Sequence, residues 1–68
     1  NNLEKKDDFL FNSKLKTVNL LNCDNISIYN TNGKLVVSSS EKTLNLNTLY
    51  KGVYILKSNN KIQKISIN

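Results

Sequence analysis

Hydrophobic and polar residues alternate with a period of two in several segments of the chain after residue 8. In residues 25–30, for example, Ile26 and Ile28 fall on one side of an extended backbone, whereas Ser27 and Tyr29 fall on the other. This alternation is typical of a β-strand with one buried face. Because no segment shows the 3.6-residue period of an amphipathic helix, the pattern predicts an all-β domain.

Short β-type runs are separated by turn-forming residues about every eight to twelve residues, the spacing of an antiparallel sandwich or barrel. The predicted strands cover residues 9–11, 16–21, 25–30, 35–37, 43–46, 52–57 and 62–67. The residues predicted to face inward include Val18, Leu20, Ile26, Ile28, Leu44, Leu46 and Leu49. Asparagines are frequent between the strands, and they favour turns because their side chains hydrogen-bond nearby backbone groups. We therefore predict an all-β fold of about seven short strands.

Both glycines of the chain stand at predicted turns. Asn32-Gly33 lies between two β-type runs and predicts a type I′ hairpin, in which both central residues need positive φ. Gly52 opens the densest β-type run, residues 52–57, where it permits a left-handed backbone at the strand entry.

Tyr54 and the final isoleucines give two further expectations. We expect the Tyr54 ring to be buried with its hydroxyl bonded to a loop, in the manner of a tyrosine corner. The change of spacing between Ile62 and Ile65 predicts a β-bulge near Gln63.

The length of the chain and the composition of its N-terminal residues indicate how the chain is divided into domains. The chain has 68 residues, and residues 1–8 are polar with mixed charge. We expect residues 1–8 to be a linker or disordered N-terminus and residues 9–68 to form one domain. A chain of this size buries only about 60% of its unfolded surface, too little to enclose a supported active-site cleft. An enzyme is therefore not expected, and the absence of an initial Met suggests a piece of a longer protein.

The charged and reactive residues argue against several classes of function. Ten lysines and no arginine oppose five acids, which gives a net charge of +5. Without arginine for bidentate contacts, nucleic-acid binding is not expected. The chain has no histidine, and its single cysteine, Cys23, cannot form an internal disulfide. We predict no catalytic residue, no metal ligand and no cofactor, and no apolar run is long enough to span a membrane.

Three segments in order resemble the C-terminal sorting domain of type IX secretion cargo from Bacteroidetes, also called the Por secretion system tail. Residues 28–34 match the family's hairpin motif, apolar-Tyr-Asn-x-x-Gly-Lys. Residues 49–54 match its Leu-x-x-Gly-x-Tyr strand, and residues 61–67 match its final short strand carrying lysine. The resemblance covers roughly residues 26–67 and depends on the combination of the three motifs.

The resemblance implies an immunoglobulin-like sandwich that acts as a secretion signal. Such a domain is attached N-terminally to a larger cargo protein and folds in the periplasm in transit. Its implied partners are the type IX translocon, an outer-membrane shuttle barrel and a surface sortase, and its destination is the outer-membrane surface or the medium. We expect a monomer. The positions implied in recognition and fold, rather than catalysis, are Gly33, Lys34, Gly52, Val53, Tyr54, Lys64 and Ile65.

Two alternatives remain open from the residues alone. An accessory binding module for glycans or surface adhesion would use Tyr29 or Tyr50 as a stacking surface. Lysine-driven binding to an anionic polymer would show an affinity that collapses with salt.

Overall fold

The computed structural model describes residues 7–68 and is all-β in that range. Residues 1–6, most of the predicted linker, lie outside it. The strands are β1 (Phe9–Asn12), β2 (Thr17–Leu20), β3 (Ile26–Asn30), β4 (Leu35–Ser39), β5 (Thr43–Asn45), β6 (Gly52–Lys57) and β7 (Ile62–Ile67). None of the described residues belongs to a helix that could cross a membrane. The predicted all-β fold of seven short strands is confirmed.

The strands form two antiparallel sheets that pack around one core. The three-stranded sheet has the order β1-β2-β5, and the four-stranded sheet has the order β4-β3-β6-β7. Every paired strand is antiparallel to its neighbour. The chain changes sheet between β2 and β3, between β4 and β5, and between β5 and β6. This is an immunoglobulin-like sandwich, as the resemblance implied.

The core contains the inward-facing residues of both sheets. Its buried members are Phe9, Val18, Leu20, Ile26, Ile28, Leu46, Tyr54, Leu56, Ile65 and Ile67. Leu44 and Leu49 are half-buried and pack against this cluster. The period of two therefore predicted the buried side of β2, β3 and β5 correctly. A register wrong by one residue would have placed these side chains on the outer face. Burying one such aliphatic side chain contributes about 1.5–3 kcal/mol.

The predicted type I′ turn at Asn32-Gly33 is wrong. Gly33 has a φ of 83°, but Lys16 is the only non-glycine residue of the described range with positive φ. Instead, residues 31–33 form a three-residue loop: the Gly33 N–H donates to the Asn30 carbonyl at 3.0 Å, and the Asn30 N–H donates to the Lys34 carbonyl at 2.9 Å. A turn followed by one glycine at positive φ is the usual three-residue hairpin, so Asn32 needs no left-handed conformation.

The predicted bulge near Gln63 is also wrong. β6 and β7 pair without interruption from Gly52↔Ile67 to Lys57↔Ile62. Ile62 lies on the outer side of the sheet, 68% exposed, and this explains its spacing from the buried Ile65 without a bulge.

A bulge occurs instead between β3 and β4. Tyr29 pairs with Leu35 and the preceding Ile28 pairs with Val37, so that Val36 is the extra residue. A bulge can re-aim a side chain, and here Leu35 lies beside the outward-facing Tyr29 while Val37 packs on the core.

Six strand boundaries differ by one or two residues from the sequence prediction: the end of β1, both ends of β2, the start of β3 and the ends of β4 and β5. β2 begins at Thr17 because Lys16, with a φ of 55°, belongs to the preceding turn. β4 continues through Ser39, beyond the predicted end at Val37. β5 stops at Asn45, although the Leu46 N–H still donates to the Lys16 carbonyl at 2.7 Å, one step beyond the Thr17↔Asn45 pair.

Candidate functional site

The seven motif positions come together toward one end of the four-stranded sheet. Gly33 and Lys34 lie in the loop between β3 and β4, where β3 ends. β6 starts at this end because it is antiparallel to β3, and Asn30 pairs with Tyr54. β7 ends there too, with Ile65 opposite Tyr54 and Lys64 opposite Ile55. Three motifs that are distant in sequence therefore form one continuous part of the fold.

Asn30 organises the hairpin loop. Its side-chain oxygen accepts hydrogen bonds from the Asn32 N–H at 2.9 Å and from the Lys34 N–H at 3.0 Å. With Gly33 at positive φ, these bonds fix the conformation of the loop. The Tyr-Asn-x-x-Gly-Lys motif thus specifies a turn, and its asparagine, absent from the predicted site residues, could have been found from the Asx-turn spacing of two residues.

Gly52 is required by its backbone angle. Its φ is 148°, a conformation that L side chains rarely adopt. A Cβ placed on Gly52 would meet no atom within 4 Å, so that steric space does not limit the position. A positive φ was expected at the strand entry, and the residue that adopts it is Gly52, the first residue of β6.

Tyr54 forms the predicted tyrosine corner. Its ring is buried, and its hydroxyl donates to the carbonyl of Tyr50 at 2.8 Å. The Tyr50 side chain, in contrast, is 87% exposed. The Tyr54 hydroxyl therefore ties the loop before β6 to the core that its ring enters.

Because successive side chains of a strand point to opposite faces, the motif residues of β6 and β7 are divided between the two faces of the sheet. Tyr54 and Ile65 pair with each other and face the core, while Val53 and Lys64 face outward. The inward pair stabilises the sandwich. The outward pair is accessible to a binding partner.

A second cluster ties the start of the domain to the β6–β7 turn. Asp8 is buried, and its carboxylate accepts hydrogen bonds from the Ser58 hydroxyl at 2.5 Å and from the Asn60 N–H at 3.0 Å. Lys61 Nζ donates to the Phe9 carbonyl at 3.0 Å and lies 4.5 Å from the centre of the Phe9 ring. We call these five residues the N-terminal clamp.

The clamp was not predicted from the sequence. Its side-chain contacts join residues about fifty positions apart, 50 for Asp8 with Ser58 and 52 for Lys61 with Phe9. No local pattern marks such pairs. The Asp8 carbonyl additionally accepts the N–H groups of Leu21 and Asn22, at 2.8 and 3.0 Å, so that this residue joins β1, β2 and the β6–β7 turn.

A family model described as the secretion system C-terminal sorting domain matches residues 5–68. The chain belongs to this family. The resemblance to the sorting domain of type IX secretion cargo is thereby confirmed. No curated protein and no solved structure matches the chain. The family is one of sorting signals rather than enzymes, and its signal implies export to the cell surface or the medium.

Within this sorting domain, the described residues offer little reactive chemistry. No group of three His, Cys, Asp or Glu side chains in residues 7–68 is placed to hold a metal ion. Burial, followed by the nearby charges of Asp8 and Asp24, raises the pKa of the Cys23 thiol. The protonated Cys23 thiol donates to the Asp8 carbonyl at 3.3 Å. Since the thiolate is the nucleophilic form, a raised pKa makes Cys23 a poor nucleophile.

The tyrosines of the alternative binding module lie on different elements of the sorting domain. Tyr29 is half-buried on the outer face of β3, and Tyr50 is exposed in the loop before β6. A shallow surface depression near Tyr29's strand is lined by Asn25, Ser27, Ser38, Ser39 and Ser40, without an aromatic ring. Glycan or adhesion binding stays a prediction from the sequence.

Proposed function

We propose that residues 9–68 direct a cargo protein through the type IX secretion system to the cell surface or medium. Residues 1–8 would connect the domain to the cargo on its N-terminal side. Membership of the sorting-domain family is the observation that carries this proposal. The finer steps are transit through the periplasm in a folded state, recognition by the translocon and an outer-membrane shuttle barrel, and handling by a surface sortase.

The arrangement of the motif positions supports a role in recognition rather than catalysis. Gly33, Gly52, Tyr54 and Ile65 specify turns, the strand entry and the core, as their φ angles and burial indicate. Lys34, Val53 and Lys64 are exposed on the surface that these four residues hold in place. We assign the first group to the fold and the second group to contact with the secretion machinery.

The N-terminal clamp fits a domain that carries a cargo on its N-terminal side. The cargo connection would enter through Asp7 and Asp8, and Asp8 is bonded to the β6–β7 turn. A mechanical or steric load from the cargo would then be transmitted to the sandwich through one buried and two partly buried hydrogen bonds rather than through the end of β1 alone.

A fusion experiment tests the proposed function. A reporter with a leader to the periplasm is joined to the 68-residue chain and expressed in bacteria with an intact type IX system and in a matched translocon deletion. We expect the reporter on the surface or in the medium of the intact strain and in the periplasm of the deletion strain. The reporter without the chain is the control and should stay periplasmic in both. Retention of the fusion in the intact strain would contradict the proposal.

A further inference from the structure

An apolar row crosses the outer face of the four-stranded sheet. Leu35 pairs with Tyr29, Tyr29 pairs with Ile55, and Ile55 pairs with Lys64. Directly opposite residues in antiparallel strands have Cβ atoms about 4.5–5.5 Å apart, so the first three side chains form a continuous surface. The bulge at Val36 is what places Leu35 in this row, since it sets Leu35 beside Tyr29.

The apolar surface extends beyond this row. Val53 lies two residues before Ile55 on the same face of β6, and Ile62 lies diagonal to Ile55 on β7. Leu35 is 51% exposed and Ile62 is 68% exposed. Contiguous exposed apolar surface on a small soluble domain is typical of an interaction site.

The outer face of the three-stranded sheet is different. Leu10 is its exposed apolar residue, and it pairs with Asn19, which in turn pairs with Thr43. The outer faces of the two sheets belong to one thin sandwich and cover the same core. The apolar row is therefore not a general consequence of small size.

The charges on the apolar face have a single sign. The four strands β3, β4, β6 and β7 contain no Asp or Glu. Lys57 and Lys64 are exposed there, on the same side of the sheet as Ile55. A complementary surface would have an apolar centre bordered by carboxylates.

The size of the face indicates which kind of partner it fits. Strands about 4.8 Å apart and residues rising about 3.3 Å give a face of roughly 20 Å by 20 Å, or about 400 Å². Covering it would bury about 800 Å² in total, the size of a weak and transient protein contact. A stable dimer needs more area, and a second copy would bring Lys57 and Lys64 against like charges. Two lysines also fall short of the roughly four to eight that bind anionic lipid surfaces.

We propose that the outer face of the four-stranded sheet, centred on Tyr29 and Ile55 and flanked by Lys57 and Lys64, docks transiently on a protein with an acidic, apolar surface. This docking is required for export. The inference rests on the proposed sorting function and deepens it by naming the face that is recognised.

Substitutions in the apolar row test the docking face within the same reporter fusion. The double variant Tyr29→Thr/Ile55→Thr keeps residues of high β propensity while removing apolar surface. Its exported fraction should fall about tenfold, as for loss of central interface residues. Leu10→Thr removes an exposed apolar side chain from the other face and should export like the unchanged fusion. A thermal unfolding curve of each purified 68-residue chain shows whether that chain is folded at the growth temperature.

A charge series separates local complementarity from net charge. Lys57→Glu/Lys64→Glu should reduce export more than Lys57→Gln/Lys64→Gln, because it places like charges against an acidic partner. Lys14→Glu/Lys42→Glu changes the net charge equally in loops away from this face. Equal loss in this control pair would overturn the charge argument.

The outcomes distinguish the inference from the function on which it rests. If the unchanged fusion is not exported, the sorting function itself fails. If that fusion and the folded Tyr29→Thr/Ile55→Thr variant are exported equally, the docking face fails and the sorting function stands. Binding of the 68-residue chain to phosphatidylglycerol vesicles that is lost in Lys57→Gln/Lys64→Gln would assign the face to a membrane. A dimer in ultracentrifugation that Ile55→Thr dissolves would assign it to a second copy, and either result overturns the proposal.

Discussion

Gly52 shows that a single residue can be fixed by backbone conformation alone. Its φ of 148° lies where L side chains are strained, although no atom would obstruct a Cβ. Tyr54, two residues later, is fixed by the opposite requirement, since both its ring and its hydroxyl have specific partners. These two positions of the Gly-x-Tyr motif serve the fold for different physical reasons.

Replacing Gly52 by valine should destabilise the domain by about 1–3 kcal/mol, the cost of holding a β-branched residue in a strained backbone. Urea unfolding of the two proteins measures the difference. Ser66→Val, on the exposed face of β7 opposite Val53, adds the same side chain without the positive φ and should have little effect. An unchanged unfolding midpoint for Gly52→Val would show that the strand entry tolerates side chains.

Two truncations of Tyr54 should separate its ring from its hydroxyl. Tyr54→Phe removes the hydrogen bond to the Tyr50 carbonyl and should cost about 0.5–1.5 kcal/mol. Tyr54→Ala also removes the buried ring and should cost about 3 kcal/mol or more, enough to prevent folding of so small a domain. Thermal unfolding checks the assignment: Tyr54→Phe should keep a cooperative transition at a lower temperature, and Tyr54→Ala should show a much larger loss or no transition. Equal losses would mean that the ring contributes nothing, contrary to its burial.

At the scale of elements, the alternating β-type runs predicted all seven strands, and the period of two predicted the buried side of β2, β3 and β5. The asparagines marked turns as expected: the side-chain oxygens of Asn12, Asn30 and Asn45 each accept the backbone N–H two residues further on. The type of the hairpin turn and the position of the bulge were not predicted correctly. Three-residue and two-residue hairpins share the Asn-Gly pair, and the bulge at Val36 depends on how β3 and β4 align across the sheet.

The N-terminal clamp is a contact between distant elements that was not predicted from the sequence. Its contribution to stability can be tested by substitution. Asp8→Ala removes the acceptor of the Asn60 N–H and the nearer of the two acceptors of the Ser58 hydroxyl, and it should lower stability by about 1–3 kcal/mol. Hydrogen exchange at the Asn60 amide should accelerate more than exchange in β3. The matched control is Asp7→Ala, which removes a half-exposed ion pair of 3.4 Å with Lys61 and should cost at most about 1 kcal/mol. Equal effects of the two substitutions would refute a special role for Asp8.

At the scale of the whole molecule, the two sheets have unequal outer faces around a shared core. The outer face of the three-stranded sheet is polar except for Leu10, whereas that of the four-stranded sheet has an apolar row and lysines. The predicted motif positions Val53 and Lys64 lie on the second face, but Tyr29, Ile55 and Leu35 were not among them. The turn and strand motifs are visible in the sequence, whereas the continuous surface depends on the cross-strand register and on the bulge at Val36.

Export of the reporter fusion tests the sorting role of this domain most directly. The quantity to measure is the fraction of reporter outside the outer membrane, in the intact strain relative to the translocon deletion, at equal expression. A sorting domain predicts a majority of the reporter outside the intact cells and almost none outside the deletion strain. Equal fractions in the two strains, with the fused chain folded, would contradict it.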